Sequence, residues 1–171
     1  MSIGRSGPRS SDTPYRPYAA AVAEFELGTD GPTAILVGVD GSTTASRAGW
    51  YAAGLARRQR ARLIVVYVAP VATASAAAPG GATLAAAESQ ARSQMAEDMR
   101  QRATDMSTEL GIDITFLVAT GNPFREIVRL AGETKVDAIV VGASTKAGHR
   151  FVGSLAVHLV RLGKWPVTVV P

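Results

Sequence analysis

Two glycines and a serine in the last third of the chain have the spacing of an anion-binding turn. The apolar run Ala138–Val141 ends at Gly142, and a loop of small, polar and basic residues follows it. Gly153 and Ser154 then open an amphipathic segment that continues to Leu162. The first backbone N–H groups of a helix have no partner within the helix, and the helix dipole adds partial positive charge there. This order of strand, loop and helix therefore predicts a cradle for a phosphate group.

A carboxylate that follows the first apolar run is the second group with the chemistry of a ligand contact. The run Ala34–Val39 ends at Asp40, and Gly41 and Ser42 come next. A carboxylate in this position can accept hydrogen bonds from a ligand or hold a metal ion. It can instead cap the following helix, in a turn where Asp-Gly is common. We favour a ligand contact, because the fold predicted below places this turn at the crevice where parallel α/β sheets bind their ligands.

Five runs of Val, Ile and Leu, separated by helical patterns, are the elements that must position these groups. Continuous apolar runs of this length are typical of strands buried on both faces of a sheet. The predicted strands are Ala34–Val39, Arg62–Val68, Ile112–Ala119, Asp137–Gly142 and Pro166–Val170. The predicted helices run from Thr43 or Thr44 to Arg60, from Leu84 to Leu110, from Phe124 to Glu133 and from Ser154 to Leu162.

This alternation predicts an α/β fold with a doubly wound, five-stranded parallel sheet of Rossmann-like type. The right-handed crossover rule favours the strand order 3-2-1-4-5. The first and fourth strands are then neighbours at the switch point, where such sheets hold their ligands. We therefore expect Asp40 and Gly142 to face one crevice.

Two helices carry patterns that we interpret as core packing. In the first, we expect Thr43 or Thr44 to cap the N-terminus and Trp50 and Leu55 to pack inward. In the second, apolar residues recur at spacings of three or four, which indicates a core-facing stripe rather than a cofactor site. The stripe consists of Ala91, Met95, Met99, Ala103, Met106 and Leu110.

The composition is that of one soluble globular domain and excludes several classes of function. Hydrophobic residues make up 47% of the 171 residues and charged residues 19%. The chain has no cysteine, which excludes disulfides, thiolate metal sites and thiol nucleophiles. A formal charge of +4 suits an anionic ligand, but 6% aromatic residues is a poor composition for nucleic-acid binding.

Residues 1–31 are rich in Ser, Pro, Gly and Arg without periodicity, and we predict a disordered N-terminal arm there and one domain over residues 32–171. The segment Val71–Thr83 reads as a mobile Ala/Gly/Pro linker. No apolar run approaches the length of a membrane span, and the N-terminus has no signal-peptide pattern, so we expect no membrane partner and a cytoplasmic location.

Four motifs in this order resemble the universal stress protein family. They are GVDGS after the first strand, the Thr-Gly-Asn-Pro turn before the third helix, VVGAS after the fourth strand, and GSLAVHLV leading into WPVTVV. The similarity covers Thr33–Pro171. It implies an adenine nucleotide ligand, either ATP with Mg²⁺ or cAMP, and a homodimer formed through the fifth strand at Val167–Val170. An edge strand with an apolar middle favours such pairing on physical grounds as well.

The resemblance also implies which residues hold the nucleotide. The base and ribose would contact Val39, Asp40 and Val68. The phosphates would lie against two turns, formed by Val141, Gly142, Ser144 and Thr145 and by Gly153, Ser154, Leu155 and Ala156.

One turn departs from the family's nucleotide-binding pattern of Gly, two residues, Gly, nine residues, Gly and Ser or Thr. The second glycine is replaced by Thr145, and only seven residues separate it from Gly153. Threonine resists the positive φ that glycine permits. A second reading therefore stays open, in which the protein is a dimeric stress protein that binds no nucleotide and acts through protein–protein interaction.

Catalytic motifs are scarce. The chain has no GxxxxGK[ST], GxGxxG, GxSxG or HExxH pattern. Lys146, His149 and Arg150 either neutralise phosphates or are merely solvated, and we interpret His158 as a structural or surface residue. We therefore expect regulatory binding with slow ATP hydrolysis at most, and we assign no catalytic or metal-binding residue.

Overall fold

The computed structural model describes residues 31–71, 81–144 and 154–171. Strands and helices alternate along these ranges. The strands are β1 (Ala34–Val39), β2 (Arg62–Ala69), β3 (Ile114–Thr120), β4 (Ala138–Gly142) and β5 (Val167–Val170). The helices are α1 (Thr43–Gln59), α2 (Gly81–Leu110), α3 (Pro123–Glu133) and α4 (Ser154–Leu162). The division between an N-terminal arm and a domain stays a prediction, because residues 1–30 lie outside the described ranges.

The five strands form one sheet in the order β3-β2-β1-β4-β5, and each described pairing is parallel. The predicted fold class and strand order are confirmed. At the centre of the sheet, β1 pairs with β4 so that Gly38 lies opposite Val141. Because both strands run in the same direction, their carboxyl ends meet at the same edge of the sheet.

Two layers of core lie on the two faces of the sheet. Alternate residues of β1 belong to different layers, Leu36 to the layer beneath α3 and α4 and Val37 to the layer beneath α1 and α2. Both side chains are completely buried. Burial on both faces explains why the strands read as continuous apolar runs rather than as alternating patterns.

The first helix packs on the sheet through small residues. Its buried positions are Thr44, Ala45, Ala48, Gly49, Ala52, Ala53 and Ala56. Leu55 is partly buried against the core, but Trp50 is 53% exposed, so the prediction that Trp50 packs inward is wrong. The buried positions recur at spacings of three or four along one face of the helix, and Trp50 lies outside that face. Ser42, not a threonine, caps the helix by accepting a hydrogen bond from the Ala45 N–H at 3.1 Å.

The second helix is longer than the strands on which it packs. Thirty residues at 1.5 Å rise span about 45 Å, whereas the eight residues of β2 span roughly 26 Å. Met99 and Ala103 are buried, but Met95 is 42% exposed. The predicted stripe therefore belongs to the core only from Met99 onward. The helix also begins at Gly81, three residues before the predicted start. Over the described ranges, no helix has the length and apolar character needed to cross a membrane.

The start of β1 is fixed by a carboxylate that precedes β4. Asp137 Oδ2 accepts hydrogen bonds from the Thr33 hydroxyl at 2.8 Å, the Thr33 N–H at 2.7 Å and the Ala34 N–H at 3.0 Å. The hydrogen bond from the Thr33 hydroxyl, aided by those from the two backbone N–H groups, holds the pKa of Asp137 below its ordinary value of 3.8. These bonds tie together the entry points of the two central strands.

We expect Asp137→Ala to lower the free energy of unfolding by about 1 kcal/mol at pH 7, the low end for a charged acceptor because the carboxylate is exposed. Because the folded pKa is depressed, the contribution is complete above the ordinary value and is lost as the pH falls through the folded pKa. Urea unfolding of both proteins at pH 7, 5 and 3 should show the difference shrinking only at pH 3. Asp113→Ala, at the corresponding exposed position before β3, is the control and should change little. An equal loss in both variants would contradict this account.

Candidate functional site at the switch point

A cavity of about 350 Å³ opens where β1 and β4 end. All of the predicted site residues that fall within the described ranges line it. They are Val39, Asp40, Val68, Val141, Gly142, Ser144, Ser154, Leu155 and Ala156. The two remaining residues, Thr145 and Gly153, lie outside the described residues. Strand ends and one helix start thus meet in a single cavity, as the predicted topology requires.

Three helix N-termini face this cavity. Ser42 and Thr44 line it from the start of α1, Pro123 from the start of α3, and Ser154 from the start of α4. In a parallel sheet each of these helices follows a strand, so its N-terminus lies at the edge where that strand ends. The partial positive charges of three helix dipoles therefore converge on one volume.

Few acidic side chains lie in the first turns of these three helices, where they would offset the positive charge. The first turns of α1 and α4 contain no acidic residue. Glu126 lies in the first turn of α3, but it forms an ion pair with Arg129 at 2.7 Å. Hydrogen bonds to Glu126 and to Glu133 raise the pKa of Arg129. The backbone N–H groups and dipoles at these helix N-termini therefore favour an anionic ligand in the cavity.

Asp40 is the carboxylate of the cavity. It is exposed, and its Oδ1 accepts a hydrogen bond from the Ser42 N–H at 2.9 Å. That bond fixes the turn ahead of the cap residue, while Ser42 itself caps α1. The carboxylate therefore has a structural role in the turn and still lies at the cavity, where it can accept hydrogen bonds from a ligand.

Gly142 has a packing role that its position at a strand end did not reveal. A Cβ on this residue would lie 2.6 Å from the Thr44 carbonyl carbon and 2.7 Å from the Ala45 nitrogen. Both are backbone atoms of the first turn of α1, so neither can rotate away. Only glycine lets β4 end this close to α1, and this contact holds the α1 N-terminus at the cavity.

Sequence reasoning missed several residues of the cavity. Gly38, Thr44, Pro123 and Ile127 line it as well. A Cβ on Gly38 would lie 3.1 Å from Ile127 Cδ1, so this glycine leaves room at the cavity floor. A glycine inside an otherwise apolar strand often marks such an approach, and that signal was available in the run AILVGV.

Of the basic residues considered in the sequence analysis, only His158 lies within the described residues. Lys146, His149 and Arg150 lie outside the described residues. His158 is exposed on α4, and its ring lies 5.6 Å from the Phe124 ring of α3. It belongs to the contact between these two helices and does not line the cavity.

A parallel sheet with helices on both faces and a cavity at its switch point defines a doubly wound α/β protein. The model of the universal stress protein family matches residues 33–171. The chain belongs to the universal stress protein family, and the predicted resemblance is confirmed.

Individual relatives agree with this assignment. Universal stress protein YxiE from Bacillus subtilis is 27% identical over 143 residues, which cover 80% of this chain and 97% of YxiE. The structure of universal stress protein UspA from Lactobacillus plantarum is 30% identical, with a TM-score of 0.68, over 81% of this chain and 97% of that chain. A universal stress protein solved in complex with cAMP is 26% identical, with a TM-score of 0.58, over 81% of this chain and 95% of that chain.

The close approach at Gly142 predicts a large cost for a small substitution. Gly142→Ala should lower the free energy of unfolding by about 1–3 kcal/mol, the usual cost of overpacking, because its methyl group meets fixed backbone. Gly132→Ala in α3 is the matched control. Over the part of the chain that the structure describes, a Cβ there meets no atom within 4 Å, and removing a helical glycine should be neutral or stabilise the fold by up to about 1 kcal/mol. Urea unfolding followed by circular dichroism tests both, and a Gly142→Ala protein as stable as the parent would refute the packing role.

Proposed function

We propose that this universal stress protein binds an adenine nucleotide, ATP or cAMP, in the switch-point cavity and acts as a regulator rather than as an efficient enzyme. The observation that carries the proposal is the convergence of three helix N-termini and the Asp40 carboxylate on one cavity. The complex of a family member with cAMP supports the same ligand class. We also propose a cytoplasmic location, because both nucleotides are available in the cytoplasm.

The base would lie in the apolar part of the cavity. Val39 and Val68 are partly buried, and Val66, which also lines the cavity, is completely buried. Such side chains bury a flat aromatic base favourably and leave its edge to the backbone. The Asp40 carboxylate would accept hydrogen bonds from ribose hydroxyls, and a charged acceptor makes these bonds stronger than neutral ones.

The phosphates would lie toward the helix starts. Ser154, Leu155 and Ala156 bring the first turn of α4 to the cavity, and Ser144 lies at the end of β4. Backbone N–H groups at a helix start bind phosphate without a basic side chain. Thr145 and Gly153 would complete this part of the site.

Magnesium would be held mainly by the nucleotide itself. Asp40 supplies a carboxylate, and the described residues contain no group of three His, Asp or Glu side chains able to hold a metal ion. Mg²⁺ commonly binds through one or two carboxylates together with substrate phosphates. When bound, the ion would offset phosphate charge. Our proposal is that nucleotide binding biases a dimer or a downstream partner, with slow hydrolysis of ATP at most.

Calorimetric titration with ATP, ADP and cAMP, each with and without Mg²⁺, tests the proposal. We expect at least one of them to bind at micromolar concentration. Asp40→Asn keeps the turn, because asparagine accepts the same hydrogen bond from Ser42 N–H, but it removes the charge. Affinity should therefore fall about tenfold or more.

Asp113→Asn is the control for that titration, since this exposed aspartate precedes β3 at the opposite end of the strands. It should bind as the parent does. No heat from any of the three nucleotides at high micromolar concentration would favour the other reading, a stress protein that works by protein–protein interaction alone.

We further propose that the protein is a homodimer that pairs through β5. This strand lies at the edge of the sheet, and all four of its residues are half-buried. The exposed apolar side chain of Val160, on the preceding helix, adds to this side of the molecule. An edge strand with apolar side chains favours pairing with a second copy.

Light scattering coupled to size-exclusion chromatography gives the mass directly. We expect a species of twice 17.8 kDa at micromolar protein concentration. A species of 17.8 kDa under these conditions would rule out a stable dimer. It would leave the nucleotide titration unaffected.

A further inference from the structure

A second cavity lies between α1 and α2, on the other face of the sheet from α3 and α4. Its volume is about 330 Å³, within the usual range for small-molecule sites. Val39 and Val65 line it from the sheet, Ala45 and Gly49 from α1, and Met99 and Ala103 are among the residues of α2 that line it. The nucleotide proposal makes no use of this groove.

The groove results from small residues on the facing helices. Gly49 is buried, yet a Cβ added to it would meet no atom of the described residues within 4 Å. Protein interiors are normally close-packed, so open space beside a buried helical residue is unusual.

An aromatic side chain lies at the rim. Trp50 follows Gly49 on α1, lines the groove and is 53% exposed. Across the groove, Met99 is buried and Met106 is partly buried. Methionine side chains adapt to the shape of an apolar partner, and an exposed indole offers its face to one.

The charges that line the groove are mainly negative. Asp105 and Glu109 lie one turn apart on α2, and Arg102 lies one turn before Asp105. Two carboxylates against one guanidinium leave one net negative charge. The Trp50 ring also has a negative face, so both sides of the groove attract a positive group.

We propose that the groove between α1 and α2 binds a small organic cation with an apolar body, such as an amine that carries one ring. The ring would lie on Gly49, Met99 and Ala103. The ammonium would lie at the rim, between the indole of Trp50 and the carboxylates of Asp105 and Glu109. The proposal does not depend on nucleotide binding, because the side chains that would contact the cation do not line the switch-point cavity.

The two tryptophans of the chain make the test direct. In a ¹⁵N-labelled protein only Trp50 and Trp165 give indole N–H signals. Trp165 packs on the core layer beneath α3 and α4 and serves as an internal control. Titration with 2-phenylethylamine at pH 7 should move the Trp50 signal to saturation with a roughly millimolar Kd, the scale for so small a molecule. The Trp165 signal should stay in place.

Two ligands of the same shape test the charge. 2-Phenylethanol, which is neutral, should bind about fivefold more weakly than the amine, and phenylacetate more weakly still. Equal binding of all three, or preference for the acid, would overturn the assignment of a cationic ligand. No saturable movement of the Trp50 signal with the amine would overturn the site itself.

Two variants test the position. Gly49→Leu fills the groove and should abolish saturation, whereas Gly132→Leu, at the open helical glycine of α3, should leave the affinity unchanged. Because Gly49→Leu can perturb the fold, the surface double variant Asp105→Asn with Glu109→Gln provides an independent test. It should bind the amine no more tightly than the alcohol. Retained amine binding in a folded Gly49→Leu protein would refute the proposed position.

A second copy of the chain is the competing occupant of the groove. Dilution of the ligand-free protein distinguishes it, since a self-association through the groove would move the Trp50 signal as the concentration falls. We expect that signal to be independent of concentration. A concentration-dependent signal would overturn the proposal in favour of an interface.

Discussion

The parallel pairing of β1 with β4 is the constraint on which the rest of the molecule depends. It brings two strand ends from distant parts of the chain to one edge, with Gly38 opposite Val141. Each helix that follows a strand then starts at that same edge. The cavity, its carboxylate and its converging helix dipoles all follow from this one register. Asp137 supports the pairing from the opposite end by binding the first residues of β1.

Much of this arrangement could be predicted from the sequence. Unbroken runs such as Ala34–Val39 identify strands that are buried on both faces, and the handedness of the crossovers then leaves few possible orders. Once the order is known, Asp40 and Gly142 must lie together because each ends a central strand. That the proposed site residues within the described ranges line one cavity was predictable for the same reason, since strand ends and helix starts are visible as breaks in the apolar pattern.

The remaining features depend on distances between elements, which no local pattern contains. Gly142 reads as a turn glycine in the sequence, but the first turn of α1 lies against it and excludes any side chain. Trp50 reads as a core residue, but the buried positions of α1 form a face of the helix that does not include it. The sequence also does not reveal how far α2 extends beyond the sheet. Its apolar stripe continues where no strand residue covers it.

The turn that joins β1 to α1 separates the two cavities. Val39 and Ala45 line both of them, and Gly41 between these residues has a φ of +84°. A single turn of the chain therefore forms part of the wall of both cavities. A displacement of this turn would therefore alter the walls of both cavities at once.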